Sequence, residues 1–122
     1  KWMVWLSNSL QAQLVLYFYA ERYVDAATMP DFRARVEARI GALLDQLEAQ
    51  LKNSGGPWLL GANYSAADCM AFVLCCWTRN LQRPANSLPA LGAYLTRMRQ
   101  RPAVQRAVAT EDLPETFFTR AA

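Results

Sequence analysis

The chain has 122 residues, room for one domain, and with 53% hydrophobic and 19% charged residues it is not a disordered chain. Alanine (20) and leucine (16) dominate, while Val, Ile and Thr together number 14 and Gly plus Pro 11, which disfavours a β-sandwich or barrel and favours helices. A net charge of +3 is mild for a nucleic-acid binder, and the absence of histidine removes Ser-His-Asp and Cys-His catalysis and most zinc sites.

The first residues run from Lys1 straight into Trp2-Met3-Val4-Trp5-Leu6, so the start is expected to lie inside or just before a helix of a longer protein. Residues 2 to 24 hold no Gly or Pro and read as one long helix. Beyond Leu14 it is apolar on most of its circumference, so its own domain plus a second domain or subunit is expected to cover it. Ser7, Asn8, Ser9, Gln11 and Gln13 interrupt the apolar pattern, and Asn8 and Gln11 share a face. Two readings stay open for this patch. It is a solvent-facing stripe, or it lines a cleft whose amides and hydroxyls orient a polar ligand without moving protons.

Thr28-Met29-Pro30-Asp31 looks like a helix start, with a Thr cap and Pro in the first turn. Phe32, Val36, Ile40, Leu43, Leu44, Leu47 and Leu51 follow at helical steps, opposite a face of Arg33, Arg35, Glu37, Arg39, Asp45 and Glu48 that reads as solvated. Asn53-Ser54-Gly55-Gly56-Pro57 ends this helix, and the apolar connection 58–63 is expected to tuck against the core. Ser65 and Asp68 form a reciprocal capping box, a structural motif, with Tyr64 and Cys69 as its hydrophobic staple. The helix that follows, 66 to 78, is nearly free of polar side chains and is expected to be central and fully surrounded.

Ser87 is placed to cap a fourth helix carrying Leu88, Leu91, Tyr94, Leu95 and Met98, and Pro102 starts a fifth with Val104, Ala107 and Val108. Phe117 and Phe118 make the tail a docking lid or a strapped-down terminus, and loose attachment of residues 113–122 stays open. The fold class is all-α, a single domain over 1–122 built as a five-helix bundle with the third helix at the centre.

Three cysteines, two of them adjacent, do not form a disulfide framework, so a reduced, cytoplasmic chain with Cys69, Cys75 and Cys76 buried in packing is expected. No metal site is expected without histidine or a fourth soft ligand. Arg97, Arg99 and Arg101 step around a helix by about 200° each, and with Arg106 they read as a solvated face. The longest apolar run, Cys69 to Trp77, is nine residues against the roughly 18 a membrane span needs, and none of these residues reads as a signal segment.

Trp58-Leu59-Leu60-Gly61 followed by Tyr64-Ser65-Ala66-Ala67-Asp68 resembles the C-terminal domain of glutathione S-transferases. Leu88-Pro89-Ala90-Leu91 and Arg101-Pro102-Ala103-Val104 are similar to that family's closing helices, and the aromatics Tyr17-Phe18-Tyr19 are compatible with its long cleft-lining helix. The resemblance covers residues 1 to about 112. It implies a parent protein whose N-terminal thioredoxin-like domain holds glutathione and the catalytic residue, neither of which lies in this chain. By that resemblance the chain alone is not catalytic. It lines the pocket for a small electrophilic co-substrate and contributes to a homodimer, with no nucleic acid or membrane as partner. Trp5, Asn8, Ser9 and Gln11 are the expected substrate-binding residues by position, and Ser65 and Asp68 the structural motif. A module of the same fold that serves protein–protein assembly without catalysis is the alternative.

Overall fold

Leu6, Leu10 and Leu14 are fully buried along one side of the first helix and set its orientation. Burial of each is worth about 1.5–3 kcal/mol. In the computed structural model, which describes residues 1–120, this helix (α1, residues 2–18) is not regular. Helical stretches Trp2–Trp5 and Ala12–Phe18 flank a π-helical segment, Leu6–Gln11. A residue four positions on in an α-helix drifts by about 40°, so a leucine every fourth position would spiral off the core. The wider π turn takes up that drift and keeps the three leucines on one line. The helix ends at Phe18, earlier than its composition suggests, because Tyr19 leaves the helical region and a 3-10 turn, Ala20–Arg22, follows.

Helix α2 (Met29–Asn53) buries Val36, Ile40, Leu44, Leu47 and Leu51 as its periodicity requires. Thr28 makes no side-chain cap. Its N–H instead bonds Asp25 Oδ1 at 2.9 Å. Helices α3 (Ala66–Trp77), α4 (Pro89–Gln100) and α5 (Pro102–Thr110) complete five helices, and no strand occurs among the described residues. Between α2 and α3 the chain doubles back through a paired Trp58–Gly61 turn. Gly61 sits at φ 100°, and a Cβ at Gly56 would collide with the Gly61 carbonyl, so both glycines are required there.

Glu48 departs from the sequence reading. It is buried, not solvated, and its carboxylate accepts from Ala90 N–H at 2.8 Å and Leu91 N–H at 2.7 Å. It thereby caps α4 from the neighbouring helix. Ser87, expected to do this, instead donates to the Pro84 carbonyl, and the N-cap position is Leu88.

Helix α3 is central, yet not fully surrounded. Ala67, Ala71, Leu74, Cys75 and Cys76 are buried, while Cys69 and Val73 are exposed and Trp77 is half-buried. Cys69 therefore does not share the burial of the other two cysteines. Over residues 113–120 the tail is strapped down. Phe118 is buried against Phe72, the Arg99 guanidinium holds both Glu115 oxygens at 3.0 and 2.7 Å, and Arg120 donates to the Leu81 carbonyl. Residues 121 and 122 lie outside the described residues.

Candidate functional site

The position of α3 is fixed by one carboxylate. Asp68 is fully buried and accepts from Leu59 N–H at 3.0 Å, Ser65 N–H at 2.9 Å and the Tyr94 hydroxyl at 2.7 Å. One side chain thus ties the apolar turn, the start of α3 and helix α4 together. The Asp68 half of the capping box is fully formed. Ser65 Oγ faces the Asp68 N–H in the box arrangement but makes no hydrogen bond of full geometry, and that N–H bonds the Ser65 carbonyl at 3.0 Å. Burial, with the bond to Asp68, pushes the Tyr94 phenol far up from its ordinary value, so it stays a donor.

Held this way, α3 turns its uncovered stripe toward two adjoining depressions. The first is a cleft of about 270 Å³ between the end of α1 and the end of α3, lined by Val15, Phe18, Tyr19, Trp77, Arg79 and Asn80. The second is a groove of about 460 Å³ between α3 and α5, whose walls include Cys69, Val73, Trp77, Val104 and Val108. Trp77 belongs to both walls. Phe18 and Tyr19 in the cleft are each 44% exposed and Val73 in the groove 41%, so both depressions offer large apolar groups to water.

The expected substrate-binding residues are not gathered there. Asn8 and Ser9 come together, but in a shallow depression of about 380 Å³ with Gln13, Arg39, Ala42 and Leu43, on the side of α1 that faces α2. Trp5 packs edge-on against Trp2 at 5.0 Å, and neither Trp5 nor Gln11 lines that depression. The cleft residues Val15, Phe18 and Tyr19 were marked in the sequence only by the aromatic run 17–19. Nothing in the chain before Trp77 shows which ring of that run meets α3.

The two buried thiols of α3 are quiet. Burial pushes the Cys76 thiol up to about 12, against the pull of Arg79 and Arg99, and pushes Cys75 higher still. The Tyr64 hydroxyl and Cys69 Sγ lie 2.9 Å apart at the first turn of α3, and burial with that contact raises the phenol's pKa. The Arg101 guanidinium stacks 3.5 Å above the Tyr64 ring and 5.1 Å from the Trp58 ring. No group of three metal-ligating side chains occurs among the described residues, and no helix there is long and apolar enough to cross a membrane. The surface is suited to holding an apolar body.

A crystal structure of a glutathione transferase homolog from Sulfitobacter, with bound glutathione, superposes with a TM-score of 0.78 at 23% identity over 93% of this chain and 53% of that one. The glutathione S-transferase-like protein OpS6 of Beauveria bassiana (strain ARSEF 2860) is 32% identical over 111 residues, 87% of this chain and 50% of that protein. The chain thus spans about half the length of the curated relative it matches. The family model for the glutathione S-transferase C-terminal domain matches residues 10–111. With that match over most of its length, and the five-helix fold and capping motif to go with it, the chain belongs to the glutathione S-transferase C-terminal domain family.

Proposed function

We propose that this domain forms the co-substrate wall of a glutathione transferase-like protein, which conjugates glutathione to a small electrophile, and that it contributes to a homodimer. The observation that carries the reading is the cleft at the ends of α1 and α3, where exposed Phe18 and Tyr19 meet Trp77 with no carboxylate among the lining residues. A wall of this composition binds and orients and does no acid–base work. The glutathione bound by the Sulfitobacter homolog supports glutathione as the partner substrate.

In this reading a thioredoxin-like domain of the longer protein holds glutathione as its thiolate, and this domain sets the electrophile against it. The thiolate sulfur forms a bond to the electrophilic carbon as the leaving group departs with its electron pair. The thiol proton has already gone to solvent. Proximity and a lowered thiol pKa supply the acceleration. The open stripe on α3, Cys69, Val73 and Trp77, is the face against which the thioredoxin-like domain would close. The depression of Asn8, Ser9 and Arg39 on the α1–α2 side is assigned to contact with a second copy, and the co-substrate to the cleft.

The test is a titration of glutathione against the full-length polypeptide that contains this domain, followed by a conjugation assay with an aryl halide. Saturable binding and thioether formation are expected. Absence of any glutathione binding would remove the transferase and leave the non-catalytic assembly module of the same fold.

A further inference from the structure

The cleft assigned to the co-substrate is not uniformly apolar. One end is aromatic, made of Phe18, Tyr19 and Trp77, and the other carries Arg79 and Asn80. Arg79 is half-buried, and no carboxylate lies within ion-pair distance of it among the described residues. Other arginines of the chain behave differently: Arg35, Arg83 and Arg99 each hold an acid, at 3.0, 2.5 and 2.7 Å. A second cation, Arg22, stands with its guanidinium 4.3 Å from the centre of the Tyr19 ring, which itself lines the cleft.

Arg79 has a structural task as well. One of its nitrogens donates to the Cys76 carbonyl at 3.1 Å, at the C-terminal end of α3, where a cation is favoured by the helix dipole. That bond uses one of the five N–H donors of a guanidinium. Its Cζ also lies 5.4 Å from the centre of the Phe117 ring, and the side chain lines the aromatic cleft, beside which a charge-assisted hydrogen bond is stronger than in open water. With no acid in the lining, the charge of the cleft is positive and uncompensated.

From this geometry we infer that the cleft selects a flat aromatic electrophile bearing an anionic substituent, the ring lying among Phe18, Tyr19 and Trp77 and the anion paired with Arg79. Asn80 adds an amide donor beside it. The inference rests on the reading of the cleft as the co-substrate wall and narrows it to a chemical class.

A matched pair of non-reactive probes separates the two levels. Naphthalene-2-carboxylate and naphthalene-2-carboxamide differ by one charge and almost nothing in shape. Calorimetric titration of each into the full-length polypeptide should show the carboxylate binding about tenfold tighter, the size of one good charge-assisted contact. Arg79→Gln should bring the ratio of carboxylate to carboxamide affinity to about one, whatever the loss of the bond to the Cys76 carbonyl costs in melting temperature, and Arg79→Lys should keep most of the preference. Equal binding of both probes, unaltered by Arg79→Gln, would overturn the inference and leave the aromatic cleft standing. An equal loss of both affinities in Arg79→Gln would make Arg79 a helix-end cap only and overturn it as well. Failure of both probes to bind would overturn the inference together with the co-substrate wall.

Discussion

Helix α3 has two faces, and they are built on opposite terms. On the closed face Ala71, Leu74, Cys75 and Cys76 are packed away from water and the Asp68 carboxylate accepts three hydrogen bonds. On the open face Cys69, Val73 and Trp77 lie along steps of four, with depressions on both sides of Trp77. The closed face sets where the helix is, and the open face sets what meets it. A binding wall on a rigid helix needs both, because a wall that moved with its ligand would lose the ordering that proximity provides.

The closed face should be the costly one to damage. Asp68→Ala strands the buried Leu59 N–H and Tyr94 hydroxyl and the half-buried Ser65 N–H, and should lower stability by about 3 kcal/mol in urea unfolding. A loss near zero would mean that water replaces the carboxylate and that the two faces are less different than they look. Tyr94→Phe removes one partner of the same network and should cost about 1–2 kcal/mol, with a fold still intact by circular dichroism.

A pH effect follows from the same burial. Unfolded, the Cys76 thiol titrates near its ordinary value of 9.0; folded, burial pushes it up to about 12. Above pH 9 the unfolded chain loses a proton that the folded chain keeps, so this contribution to stability is whole below pH 9 and drains away between 9 and 12. Urea midpoints measured across that range should fall, and fall less steeply in Cys76→Ala. The gentlest contrast needs no mutation. A thiol reagent at pH 8 should modify one cysteine per folded chain, Cys69, and all three after denaturation. Three fast-reacting thiols in the folded protein would contradict the closed face.

Much of the closed face was legible in the sequence, and the reason is that its signals are local. The Ser65–Asp68 box spans four residues, and the leucine spacing of α2 repeats within one helix. What escaped the sequence is non-local. Glu48 reads as one acid among the charges of α2, and only the approach of α4, more than forty residues on, turns it into a buried cap. The π turn in α1 is set by the core it must face rather than by its own residues. The cleft was half visible. Tyr17-Phe18-Tyr19 marks an aromatic end of α1, yet the pairing of Phe18 and Tyr19 with Trp77 and Arg79 depends on how two helices lie side by side. Asn8 and Ser9 were singled out for being polar on an apolar helix, and a polar residue on α1 faces whichever neighbour the leucine line leaves to it, here α2.

The most direct test of the open face is the substitution Trp77→Ala in the full-length polypeptide, read by steady-state conjugation kinetics with glutathione and an aryl halide varied in turn. Trp77 is half-buried and shared by both depressions. KM for the aryl halide should rise severalfold and KM for glutathione hold, with the protein still folded. Unchanged kinetics toward the aryl halide, with the fold intact, would contradict the assignment of this face as the co-substrate wall.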